Sequence, residues 1–187
     1  MHKTAPPPIR HPRFPPLQTE RLSLRILRLS DAPLIYHTMN QRNVAESLAE
    51  VPYPYPLGAA EEFIKYTHEA LSRQDRVDLA IERREDRKFL GVIGFRKAAK
   101  HDSNVGYWII PEYWGQGYAS EALQRITQYA FEIAKMKKLE GSALADNLPS
   151  RRVLEKAGFV FKDFYLKNFP ARGRLVRLAN YIYEPNK

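Results

Sequence analysis

From Val105 to Ala122 the chain reads Val-Gly-Tyr-Trp-Ile-Ile-Pro-Glu-Tyr-Trp-Gly-Gln-Gly-Tyr-Ala-Ser-Glu-Ala, and this stretch constrains the fold more than any other. Large apolar and aromatic residues suit a strand over Val105–Ile110. Pro111 has no N–H and ends sheet pairing there. Gly115 and Gly117 permit unusual backbone angles and close approach. A strongly amphipathic helix over Ser120–Ala134 follows. The junction Gly106–Ser120 therefore points the amides of residues 115–120 out of a helix N-terminus, where partial positive charge favours an anion. Ser120 adds a hydroxyl. Two familiar phosphate loops are excluded: no Gly-Lys-Ser/Thr closes the turn, and position 120 is Ser where a dinucleotide fingerprint needs a third glycine.

The rest of the chain supplies a sheet for this junction. A proline-rich arm over residues 1–17 has little periodicity, and the domain proper spans 18–187. Alternation predicts a strand over Arg21–Leu29. Ser30 or Asp31 offers an N-cap for a helix over roughly 31–40 with Pro33 in its first turn. Val51–Leu57, with prolines at 52, 54 and 56, is neither helix nor central strand. Its Tyr53 and Tyr55 form an aromatic lip. Gly58–Ser72 reads as helix, then Val77–Glu82 and Phe89–Arg96 as strands. Leu139–Ala145, Phe159–Leu166 and Leu175–Tyr183 are further strands, with a short helix over Ser150–Lys156. Strands early and a β-α-β-α-β unit late predict an α+β protein: a mixed sheet with helices on both faces.

Composition narrows the function classes. With 187 residues the chain builds one well-buried core. No apolar run approaches the ~20 residues of a membrane helix, so no membrane partner is expected. Cysteine is absent, which removes disulfides, thiolate metal sites and a cysteine nucleophile, and fits a cytoplasmic setting. The five histidines have no metal-ligand spacing, so no metal is expected. There is no Gly-x-Ser-x-Gly elbow. The net charge of +9 suits an anionic partner. However, the basic residues are dispersed, with short clusters at Arg83–Arg87, Lys135–Lys138 and Arg172–Arg177, which weighs against direct nucleic-acid binding.

At Trp114-Gly-Gln-Gly117-Tyr-Ala119 the sequence resembles the pyrophosphate loop of the GCN5-related N-acetyltransferase (GNAT) superfamily, in particular its ribosomal-protein (RimJ/RimL-like) branch. That loop has the form Arg/Gln-x-x-Gly-x-Gly/Ala, and Trp114 departs from it. Asn147-Leu-Pro-Ser150-Arg-Arg-Val-Leu-Glu-Lys-Ala-Gly-Phe159 is similar to the branch's second motif, and Gln18–Arg25 and Pro52–Pro56 to its opening strand and inter-helix loop. The likeness runs over about residues 18–184.

The resemblance implies a GNAT fold: a mostly antiparallel mixed sheet with a splayed parallel pair, the strand near Ile110 parting from residues 141–146. It implies acetyl transfer from acetyl-CoA directly to a primary amine, most simply a protein N-terminal α-amine (ribosomal in this branch). A small amine such as an aminoglycoside, polyamine or amino-acid derivative is the alternative acceptor, and the chain acts as monomer or homodimer. For the cofactor it implies Trp114, Gly115, Gln116, Gly117, Tyr118, Ala119 and Ser120 at the pyrophosphate, the amides of Ile109 and Ile110 at the pantetheine and thioester, and Asn147 and Ser150 near the thiol. Arg151 and Arg152, beside that site, either reach the cofactor's phosphates or face water. Ser150 is the candidate support for the thiolate and Glu112 the candidate base, with Tyr107, Tyr113, Tyr118 and Tyr165 as further proton donors. Glu121 serves the helix dipole. Tyr53 and Tyr55 wall the acceptor pocket, and Trp108, which alternates with Ile109, either joins them or belongs to the core. A different class of reading is a catalytically silent CoA-binding module or a basic nucleic-acid-binding module.

Overall fold

Among the described residues every strand joins a single sheet. In a computed structural model describing residues 14–48, 50–97, 104–169 and 173–185, the strands are β1 (Leu17–Gln18), β2 (Leu22–Ile26), β3 (Arg76–Arg83), β4 (Phe89–Arg96), β5 (Asn104–Ile109), β6 (Leu139–Leu144), β7 (Val160–Phe169) and β8 (Arg174–Tyr183). Their spatial order is β1-β2-β3-β4-β5-β6-β8-β7. Neighbours run antiparallel except β5 and β6, which are parallel. This is the expected α+β class. Residues 1–13 of the proline-rich arm, and with them His2 and His11, lie outside the described residues, as does His101; Leu17, assigned to the arm, pairs with Leu24 and is buried.

The helices are α1 (Ala32–Met39), α2 (Arg42–Ser47), α3 (Ala59–Ser72), α4 (Tyr118–Glu132) and α5 (Leu148–Lys156). Sequence pattern misses α2, because six residues are too few to show a helical period. Helices cover both faces. Leu123 and Ile126 of α4 and Leu154 of α5 pack with Leu24, Leu79 and Ile93 in the larger core. Ile35 of α1 and Ile64 of α3 pack with Ala80, Val92 and Leu27 on the other side. Each fully buried Leu or Ile stabilises the fold by about 1.5–3 kcal/mol.

Arg25 of β2 is buried, although it occupies a position that reads as a polar break in the alternation. Its guanidinium binds both oxygens of Asp31 at 2.8 and 2.9 Å and Glu82 at 2.6 Å. Asp31 also accepts the Arg28 backbone N–H at 2.8 Å, which fixes where α1 begins.

Candidate active site

The parallel pair is short. Asn104 pairs with Glu140 and Val105 with Gly141, after which β5 and β6 part. Residues 142–144 stay with β8, and β5 stays with β4. On the β4 side the Ile110 amide donates to the Leu90 carbonyl at 2.8 Å. Antiparallel ladders alternate, so residues 106, 108 and 110 face β4 while the amides of Tyr107 and Ile109 face the gap. The expectation for Ile110 is therefore corrected: its N–H is spent in the sheet, and Tyr107 supplies the second gap-facing amide. A one-residue offset in the alternation decides this, and apolar pattern alone does not fix it.

The gap opens into a cleft of about 970 Å³ that passes through the sheet. On the α4–α5 side it is lined by Gly115, Gly117, Tyr118, Ala119 and Ser120. Gly115 and Gly117 have φ of +74° and +82°, and Gly117 caps α4 in the left-handed region, where a side chain would be strained. No side chain caps the helix, so its first-turn amides remain open toward the cleft. Asn147, Ser150, Arg152 and Lys156 complete this wall. Open amides at a helix N-terminus beside two basic side chains suit a pyrophosphate, and the gap-facing amides suit an amide-bearing arm.

The loop is braced from behind. Glu121 accepts from the Thr19 hydroxyl at 2.5 Å, the Arg21 backbone N–H at 3.0 Å and Arg21 Nε at 2.7 Å. Arg21 also donates to the Gln116 carbonyl at 3.1 Å and lies 4.6 Å from the Tyr118 ring centroid. Burial pushes the Glu121 carboxyl up, but the bonds from Thr19 and Arg21 outweigh it and leave the group below its usual range. Glu121 is thus more than a dipole partner. Gln116 is exposed, donates its side-chain amide to the Glu112 carbonyl and does not line the cleft. Trp114, at the position where the resembled loop has Arg or Gln, donates its indole N–H to the Ile109 carbonyl at 2.6 Å. It fastens the loop to the splayed strand.

At the gap itself two hydroxyl pairs meet. The Tyr107 hydroxyl donates to the Ser150 carbonyl at 2.9 Å and lies 2.9 Å from Ser150 Oγ. Burial pushes the Tyr107 phenol well up, with the Ser150 bond opposing. On the opposite wall Ser142 Oγ lies 3.0 Å from the Tyr165 hydroxyl. Asn147 accepts the Ser150 N–H at 3.1 Å and so caps α5. Tyr113 and Tyr118 instead pack together and beneath Arg83 and Arg21. Arg151 bonds Tyr181 and the Ala145 carbonyl and stacks over Phe164, away from the role weighed for it; Arg152 reaches the cleft.

The other side of the cleft, beneath α1–α3, where the resemblance leads one to expect the acceptor, is walled by Tyr55, Phe63 and Trp108. Asn40 grips both backbone groups of Tyr55, at 2.9 and 3.3 Å. Tyr53 is exposed and does not line the cleft. Glu112, the candidate base, sits in a short 3-10 turn, is exposed and likewise lies off the cleft wall. Sequence reasoning missed the charged wall formed by Arg76, Asp78, Glu46 and Glu50, with Lys167 from β7. Asp78 alone carries a readable signal, a carboxylate inside a strand.

Among the described residues no helix is long and apolar enough to cross a membrane. Residues 21–160 match the acetyltransferase (GNAT) domain model. The uncharacterized N-acetyltransferase YoaA of Bacillus subtilis is 34% identical over 149 residues, covering 78% of this chain and 83% of that protein. The spermidine N(1)-acetyltransferase of Vibrio cholerae is 25% identical over 156 residues, covering 82% and 87%. The solved ribosomal-protein-S5-alanine acetyltransferase of Vibrio fischeri superposes with a TM-score of 0.76 at 18% identity, covering 92% and 97%, a likeness of fold.

Proposed function

Because the chain belongs to the GNAT family and is an acetyl-CoA-dependent N-acetyltransferase, we propose that its acceptor is a protein N-terminal α-amine, as in the ribosomal-protein branch. One observation carries this choice. The carboxylates on the acceptor wall are each matched by a basic side chain of the protein: Asp78 by Arg76, Glu50 by Lys167 at 3.9 Å and Glu46 by Arg42 at 2.8 Å. Arg96 adds a further positive group to the wall. A polycation needs unmatched negative charge to hold it; a single α-amine does not. The relative named as a spermidine acetyltransferase keeps the small-amine reading in view.

The chemistry follows from the two faces of the cleft. Acetyl-CoA enters along α4 and α5, its pyrophosphate on the open amides of residues 118–120 and its arm against Tyr107 and Ile109 N–H. The acceptor enters from the α1–α3 face. The Ile109 N–H, aimed into the gap, polarises the thioester oxygen. The amine nitrogen attacks the thioester carbon, the carbon–sulfur bond breaks, and sulfur takes up the negative charge. The Tyr107–Ser150 hydroxyl pair lends a hydrogen bond or proton to that sulfur and recovers it from the departing N–H proton. Burial keeps the Tyr107 phenol protonated for this role.

The deciding experiment is free-thiol release from acetyl-CoA with peptides bearing free N-terminal Ala, Ser or Met, set beside spermidine and an aminoglycoside. The reading expects the highest kcat/KM on a peptide. Faster turnover of a small amine than of every peptide would replace it.

A further inference from the structure

The acceptor half of the cleft holds a carboxylate that the chemistry above does not use. Asp78 on β3 is 6% exposed, yet it lines the cleft. Register sets it beside Gly94 of β4, and Gly94 beside Gly106 of β5. A Cβ on Gly94 would stand 2.5 Å from Asp78 Oδ1, so the carboxylate lies over β4 in the space a side chain would take. A Cβ on Gly106 would meet nothing within 4 Å. The surface between the carboxylate and the free edge of β5 is therefore bare backbone under open space. With strands ~4.8 Å apart, the carboxylate lies about one strand spacing from Gly106, and the gap begins at the far edge of that strand. This span admits an amine nitrogen with or without one water.

The surroundings hold the group in place without removing its capacity to take a proton. Arg76, on the same strand, donates to both oxygens, one contact being 2.9 Å through Nη2. Arg76 lies in turn over the Tyr66 ring of α3. Arg96 acts on Asp78 from β4, and Glu50, from the segment after α2, acts on Arg76. His68 of α3 is engaged with the Leu27 carbonyl at 2.8 Å. Burial pushes the Asp78 carboxyl up, and the Arg76 bonds and charge offset this only in part.

We propose that Asp78 is the general base, accepting the acceptor amine's proton directly or through one water. This rests on the acetyl-transfer reading above. The ammonium passes one N–H proton to an Asp78 oxygen, which leaves a neutral carboxyl and a free nitrogen lone pair. After acetyl transfer the carboxyl returns that proton to solvent, and the second amine proton ends on sulfur. A carboxylate restrained by Arg76 is a weak base, and that suits an α-ammonium of pKa ~8 better than an alkylammonium of pKa ~10.4.

The test is the pH profile of kcat/KM for acetyl transfer to a peptide with a free N-terminal alanine, in the parent, Asp78→Asn and Arg76→Gln, with the acetyl-CoA-induced rise in Tm recorded for each. Asp78→Asn is expected about 100-fold slower at pH 7. It should come within about threefold of the parent near pH 9.5, where the amine is already free. Its acetyl-CoA response stays intact. Arg76→Gln keeps the carboxylate, removes its cation and moves the acidic limb to higher pH. An Asp78→Asn profile that overlays the parent, or an unmoved limb in Arg76→Gln, overturns the assignment; if Asp78→Asn does not fold, the Arg76→Gln limb alone decides. A parent that transfers to no amine at all overturns the acetyl-transfer reading instead, so the two failures are distinct.

Discussion

Tyr107 Oη and Ser150 Oγ lie 2.9 Å apart, the first on the strand that leaves the parallel pair and the second in the first turn of the helix that follows its partner. The same phenol also donates to the Ser150 backbone carbonyl. Side chain and backbone thus hold the two hydroxyls at the mouth of the gap as one unit.

A shared role predicts non-additive losses. Tyr107→Phe should lower kcat by about 10–100-fold while KM for acetyl-CoA changes less than threefold. Ser150→Ala should cost less, because the phenol remains. The double variant should fall close to Tyr107→Phe rather than at the product of the two. Steady-state thiol release checks this, and full additivity would separate the two residues.

The loop at the head of α4 predicts a binding phenotype. Acetyl-CoA at saturation should raise the parent's Tm by several degrees, since a ligand at 100 times its Kd stabilises by about 2.7 kcal/mol. Gly117→Asp should abolish that rise. It forces a side chain into φ +82°, beside Arg21 Nη2 at 3.4 Å, and brings negative charge to the pyrophosphate. A retained shift would remove the loop from the binding site.

Glu121 gives this brace a pH dependence. Its carboxyl is depressed in the folded protein, so the stability it contributes is full above the unfolded value of ~4.3 and is lost as pH falls through the folded value. Glu121→Gln should therefore weaken acetyl-CoA binding severalfold at pH 7. The gap to the parent should narrow as pH drops below about 4. Isothermal titration at neutral pH and thermal melts across the acid range report the two effects.

The fold and the turn at the head of α4 were legible because they rest on local backbone rules. Pro111 ends the strand, and Gly115 and Gly117 shape the turn. The acceptor half was not, since Asp78, Gly94 and Gly106 come from three strands and meet only through register. Glu112 drew attention for sitting next to the loop in sequence, yet a 3-10 turn carries it to solvent. Ile110 departs from expectation for a related reason: apolar pattern marks a strand, while which edge an amide faces depends on the partner strand's phase.

Charge matching at the acceptor mouth yields the last prediction. Lys167 and Glu50 are side by side at 3.9 Å, with side chains 47% and 70% exposed. An exposed pair at that spacing contributes little stability, within about 1 kcal/mol, so its worth lies in the charge it cancels. Lys167→Glu should leave the fold intact and change the local charge by two units. A polycation then gains what the native wall denies it. KM for spermidine should fall severalfold at low ionic strength, while kcat/KM for an N-terminal peptide holds or declines. The gain should fade near 1 M salt, where the screening length shrinks to about 3 Å. If spermidine turnover is indifferent to this reversal at every salt concentration, charge at the mouth does not select the acceptor, and the preference for a single α-amine must come from the aromatic wall of Tyr55, Phe63 and Trp108 instead.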